Sequence, residues 1–173
     1  DYFTALELAE ALESELGWRA VLLPATGDWY DLSGIDVLIS LLDRYDLRRT
    51  RNARPSLLAV AWVRNWFDRW PGRPWFELYD LVLSSSDAGA AYLLEHADRR
   101  AEVLRIATAP ERFRAGRRDE ALAADVAFTG SRWNVPRAIE SNLAPADVPG
   151  TVAVWGRGWS ESPALAPVAR GFL

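Results

Sequence analysis

The chain has 173 residues, half of them apolar and a quarter charged, with a formal net charge of −4. That length is enough to bury a sizeable core, no apolar run reaches the roughly 20 residues of a membrane helix, and the acidic balance argues against a dedicated nucleic-acid binder. There is no Cys and a single histidine, His96, which excludes disulfides, thiolate or multi-histidine metal sites and a cysteine nucleophile.

Ala5, Leu8, Ala9, Leu12 and Leu16 recur at helical spacing, and Gly17 reads as the stop. Short apolar runs follow at Ala20–Leu23, Ile35–Leu42, Leu57–Val63, Leu81–Leu83 and Val103–Ile106. Continuous runs of Val, Ile and Leu that do not alternate predict parallel strands covered on both faces. Ser84-Ser85-Ser86-Asp87 predicts a helix start, with the helix reaching about His96. This strand–helix alternation predicts a Rossmann-like, doubly wound α/β domain over residues 1–113.

Beyond it, Arg112–Ala124 is polar and reads as a linker, covering 114–124 between the two patterns. The pattern restarts over 125–173. Asp125–Thr129 predicts a strand ending in Gly130-Ser131-Arg132, and Pro136 suits a first helical turn. Thr151–Trp155 predicts another strand, ending in Gly156-Arg157-Gly158-Trp159. So short a second unit cannot bury a full two-layer core alone. The chain enters a helix almost directly from Asp1 and stops at Gly171-Phe172-Leu173 without a capping signal, so it reads as an excerpt of a longer protein. No export pattern is visible near its start, and a cytoplasmic location is the expectation.

Open α/β sheets bind ligands beyond the carboxyl ends of their strands. That rule selects Arg64, Asn65, Trp66 and Asp68, in a loop dense in Trp and Arg, residue types that stack on rings and pair with anions. It also selects Asp43 and Asp46 as acid/base or hydroxyl-binding candidates. Gly130, Ser131 and Arg132 form a small-residue turn with free backbone N–H groups and a cation, suited to phosphate. His96, at a helix end, reads as a cap or surface group. The absence of Lys removes Walker-type and Schiff-base chemistry.

Several stretches are similar to bacterial glycosyltransferases of the GT-B fold, in the CgeB-like, family-1-like group. They are Ala61-Trp62-Val63-Arg64-Asn65-Trp66, Leu81-Val82-Leu83-Ser84-Ser85-Ser86, Leu104-Arg105-Ile106-Ala107-Thr108 with Pro110, Arg112 and Phe113, Asp125–Ser131, and Val154–Trp159. The resemblance implies two Rossmann-like domains about a cleft, an acceptor-side domain followed by the start of a donor-side one. It implies a nucleotide-sugar donor as substrate, an unknown acceptor, no bound metal and no other cofactor. Arg64, Asn65, Trp66, Asp68 and Asp43 would then line the cleft, and Gly130, Ser131 and Arg132 would approach the donor diphosphate; the catalytic base is left unassigned. It also places the family's first strand ahead of Asp1 and its main donor-binding segment beyond Leu173, so this chain alone is expected to be inactive. An exposed half-cleft is expected to favour self-association. Two rival readings stand beside it: a non-catalytic glycan- or protein-binding module using the Trp/Arg loop, and a nucleotide-binding regulatory domain of flavodoxin-like topology.

Overall fold

The computed structural model describes residues 2–110, 113–133, 135 and 137–171. Asp1, Arg112, Pro136, Phe172 and Leu173, on which sequence expectations fell, lie outside the described residues. The chain divides into two compact units, Asp1–Arg114 and Ala115–Leu173.

The first unit contains α1 (Tyr2–Leu16), β1 (Val37–Ser40), β2 (Leu58–Val63), β3 (Leu81–Ser84), α2 (Asp87–Ala97) and β4 (Glu102–Val103). The strands form one sheet in the order β1-β2-β3-β4, and every pair is parallel. This is a mixed α/β fold of parallel strands with flanking helices. Strand order follows chain order without a reversal, so among the described residues the sheet has no switch point of the kind at which open α/β sheets seat ligands. The doubly wound pattern expected from the sequence is in that respect not present.

Burial explains which runs became strands. β2 lies between two neighbours and is buried from Ala59 to Val63. Its alternate residues feed opposite faces: Ala59, Ala61 and Val63 join Trp70, Phe76, Tyr79, Val82 and Leu93 in the main core. β1 and β3 alternate half-buried and buried residues, so the expectation of strands enclosed on both faces holds for β2 but not for them. A second cluster packs Tyr30, Leu32, Leu38 and Tyr45. Its low dielectric pushes the Tyr45 phenol up to about 12, and the hydroxyl donates to the Trp29 carbonyl at 2.8 Å. The run Ala20–Leu23 is in no strand, and Val103–Ile106 contributes only Val103 to β4.

The helix ends follow their sequence signals. Ser86 Oγ accepts from the Gly89 N–H at 3.1 Å and caps α2. Asp98, at φ 49°, closes that helix in the left-handed region, where Asp is better tolerated than most residues. Gly17, at φ 65°, terminates α1. No helix of the described residues is long and apolar enough to cross a membrane.

The second unit holds β5 (Val126–Thr129), α3 (Ala138–Asn142) and β6 (Val152–Trp155), with β5 and β6 in parallel register. Its core is small: Val154, Trp159 and Leu165, with Phe128 and Ile139 against them. β6 is buried over Val152–Val154, whereas β5 is largely exposed. The Asp125 carboxylate accepts from the backbone N–H and the hydroxyl of Thr151, at 2.7 and 2.8 Å, and so pins the starts of the two strands together. Those bonds hold its titration below the usual carboxylate range.

Candidate functional site

The loop leaving β2 sorts its side chains sharply. Trp70 is 2% exposed and belongs to the core, with its ring edge-on to Tyr79. Trp75 is partly buried and donates its indole N–H to the Asp43 carbonyl at 3.0 Å. Trp66 stands out at 48% exposure. Its φ is 51°, a left-handed conformation that costs an L-residue about 1–2 kcal/mol. The Arg69 guanidinium lies over its ring, 3.9 Å from the centroid. Asn65 and Asp68 are exposed beside it.

Arg64 begins this loop but turns inward. It is half-buried, its Nη1 donates to Thr4 Oγ1 of α1 at 2.9 Å, and it lies 5.7 Å from the Trp62 ring. Burial pulls its guanidinium below the usual arginine value. Asp43, in the loop after β1, is paired with Arg73, whose Nε donates to Oδ2 at 2.8 Å. The carboxylate therefore ties the loop after β1 to the loop after β2. Asp46 is likewise engaged: Arg48 donates to it from Nε and Nη2, at 2.9 and 2.8 Å.

In the second unit, Gly130 (φ 150°) and Gly156 (φ 137°) end β5 and β6 and lie backbone against backbone. The Gly130 carbonyl accepts from the Trp159 indole N–H, and its N–H donates to the Trp155 carbonyl at 2.9 Å. Ser131 is half-buried. Arg132 Nε donates to Glu140 Oε1 at 3.0 Å, and its Nη1 lies 3.9 Å from Glu161. The turn does not open directly into a helix as expected, because α3 begins only at Ala138 and is 5 residues long. Trp133 follows in the left-handed region, at φ 58°, with 72% of its surface exposed.

Glu140 holds this loop cluster together. It accepts from the Arg137 backbone N–H at 3.0 Å, from Ser162 Oγ at 2.8 Å and from Arg132. The Arg137 and Ser162 bonds, then Arg132, hold its carboxyl below the ordinary glutamate range. A folded pKa below the unfolded one gives stability that is present above the unfolded value and lost as pH falls through the folded one. The second unit is therefore expected to loosen as pH drops below about 4.3, the ordinary glutamate value. Glu140→Gln is expected to flatten that dependence. The NMR resonance of the Trp159 indole N–H followed through an acid titration of both proteins checks it; parallel acid curves would remove Glu140 from the account.

His96 sits in the last turn of α2, its ring stacked on Tyr92 with centroids 3.9 Å apart and Nδ1 3.0 Å from the Tyr92 carbonyl. The structure thus keeps Arg64, Asn65, Trp66 and Asp68 on one loop, ties Asp43 to that loop through Arg73, and gathers Gly130, Ser131 and Arg132 with Glu140. Sequence reasoning missed Arg73 and Glu140, the partners that hold two of the candidates. Glu140 carried a readable signal as an acidic residue in the first turn of a short helix. Trp133 ends the loop Thr129–Trp133 that the strand-end rule selects, and it follows its strand much as Trp66 does. Among the described residues no group of three or more His, Asp or Glu is placed to hold a metal. Comparison with protein families, curated proteins and solved structures finds no match for this chain.

Proposed function

We propose that the chain is part of a glycosyltransferase that moves a sugar from a nucleotide-sugar donor to an acceptor, in line with the GT-B resemblance. One observation carries the reading. Each unit displays an exposed tryptophan within a few residues of the carboxyl end of a parallel strand, and each is held in the left-handed region: Trp66 after β2 and Trp133 after β5. Strained backbone at exposed aromatic residues is a feature of binding sites, and flat indole faces stack on sugar rings and nucleobases. Arg69 beside Trp66 supplies a cation. In this reading Trp66, Asn65 and Asp68 meet the acceptor, while Ser131 meets the donor phosphates; the Gly130 and Arg132 N–H groups, expected from the sequence to be free for phosphate, are instead given to the Trp155 and Arg157 carbonyls. Arg132 adds positive charge there while its Nε stays on Glu140. Stabilising the leaving diphosphate would be the main electrostatic contribution.

A second reading, a glycan-binding module without chemistry, is favoured by the Trp66 loop, where an exposed indole with the Arg69 guanidinium over its ring can hold a saccharide without a reacting group.

Calorimetric titration of UDP, GDP and dTDP, then of their sugar conjugates, into the full natural polypeptide and into this chain separates the two. The transferase reading expects one nucleotide to bind the full polypeptide, and Trp133→Ala to weaken it by about tenfold, the loss of one stacking contact. Binding of free oligosaccharides with no response to any nucleotide would replace it with the module.

A further inference from the structure

Arginines gather at one place in the first unit. Arg44, Arg49 and Arg51 line a single open recess of about 540 Å3, together with Asp28, Trp29 and Tyr30. Three guanidinium groups and one carboxylate thus share its wall, in a chain whose net charge is −4. Cations brought together repel one another, and a bound anion relieves that repulsion.

Backbone bonds and ring contacts hold the recess in shape. The Arg51 N–H donates to the Tyr30 carbonyl at 2.8 Å, and the Leu32 N–H donates to the Arg51 carbonyl at 2.9 Å. These two bonds lace residues 30–32 to Arg51. The Tyr45 hydroxyl, next to Arg44 in sequence, donates to the Trp29 carbonyl at 2.8 Å. Tyr30 itself is buried in the second core cluster. A wall fixed in this way loses little further freedom when a ligand arrives.

The three arginines are placed differently. Arg51 is paired with Asp28. Arg49 lies 4.4 Å from the centroid of the Tyr30 ring, and Arg44 lies 5.7 Å from that of Trp29. Among the described residues neither of these two is in a salt bridge. Two further acids that feel the arginines of the recess are engaged elsewhere. Asp46, which feels Arg49, is held by Arg48. Asp31, which feels Arg51, accepts from Ser33 and Asn52. A guanidinium resting on an aromatic face is held in place while its in-plane N–H donors stay available. That planar fork matches two oxygens of a phosphate.

We propose that the recess binds a small molecule bearing a phosphate or diphosphate group, with Arg44 and Arg49 as its donors and Arg51 turning to it from Asp28. A phosphate monoester carries close to two negative charges near neutral pH, which balances three guanidinium groups against one carboxylate. A monocarboxylate would occupy only one of the two forks. The recess is of ordinary size for a small-molecule site, so it has room for the organic part of the ligand as well. The inference concerns the first unit alone and does not rest on the transfer reading.

The test titrates inorganic pyrophosphate into this chain in about 0.15 M salt, which screens general attraction between exposed charges. The Trp29 indole N–H and the arginine Nε–H resonances are followed by NMR. Saturable shifts at Trp29, Arg44, Arg49 and Arg51 are expected. Arg44→Gln and Arg49→Gln are each expected to weaken binding by about tenfold, the loss of a charge-assisted hydrogen bond. Asp28→Asn is expected to strengthen it several-fold, because it removes the carboxylate of the recess and releases Arg51. Arg54→Gln, in an exposed pair with Asp36 outside the recess, is the control and is expected to bind like the unaltered chain. Shifts that rise without saturating, or that acetate reproduces equally, would overturn the proposal. So would an unchanged affinity in Arg44→Gln, whose side chain is exposed and whose loss leaves the core intact. Glucose 1-phosphate and a nucleoside diphosphate, titrated in the same way, distinguish the sources of the phosphate: the one that binds more tightly than pyrophosphate carries the organic group the recess accepts.

Discussion

Gly156→Ala is expected to unfold the second unit and leave the first intact. A Cβ on Gly156 would lie 2.7 Å from the Gly130 carbonyl carbon and closer still to its oxygen, with the Ser131 nitrogen at 3.2 Å. Those atoms are backbone, so no side chain can swing aside to make room. They are also fixed from elsewhere, because the same carbonyl accepts from Trp159 and the Gly130 N–H is bonded to Trp155. The φ of 137° adds a second penalty, since L-residues avoid that region. Overpacking and backbone strain together cost on the order of 2–6 kcal/mol, comparable with the roughly 3–9 kcal/mol of stability a unit of this length has. The NMR resonance of the Trp159 indole N–H and limited proteolysis read the outcome. Gly116→Ala, where a Cβ meets nothing within 4 Å, is the matched control and is expected to be close to neutral. A folded second unit in Gly156→Ala would show that the Gly130–Gly156 crossing is not held as tightly as described.

The sequence was legible where a single local rule decides the structure. The buried run Leu57–Val63 became β2, Ser86 capped α2 and Gly17 ended α1, because apolar runs, hydroxyl caps and positive-φ glycines act over a few residues. Ala20–Leu23 has the same apolar character as β1 but lacks a neighbour that offers it a ladder, and an apolar run without a pairing partner is no strand. The loop candidates divide for a similar reason. Residue type selected Asp43, Arg64 and Arg132, yet type says nothing of the partner. Arg73, Thr4 and Glu140 lie 30, 60 and 8 residues away in sequence. No periodicity reports such pairings. The left-handed backbone at Trp66 and Trp133 was equally hidden, since no residue preference predicts it for tryptophan.

Trp70 and Trp66, four residues apart on the same loop, are expected to respond oppositely to truncation. Trp70 is 2% exposed and packs on Phe76 and Tyr79, with ring centroids 5.8 and 6.1 Å away. Trp70→Ala empties the centre of the main core and is expected to cost about 3–5 kcal/mol. That lowers the urea midpoint of the first unit substantially or unfolds it. Trp66 is 48% exposed, with the Arg69 guanidinium 3.9 Å from its ring centroid. Trp66→Ala removes little buried surface, while Trp66→Gly also relieves the left-handed strain and is expected to hold or slightly raise stability. The same two changes at Trp66 are expected to abolish most of the affinity for a saccharide acceptor, by tenfold or more for one stacked ring at about 1.4 kcal/mol per decade. Urea unfolding together with saccharide titration of the three variants decides it. A Trp66→Ala protein as destabilised as Trp70→Ala would make Trp66 a packing residue. A stable one with undiminished saccharide binding would move the acceptor site off this loop. A tryptophan kept in a left-handed, half-exposed conformation, with a guanidinium lying over its ring, is the feature a binding role explains.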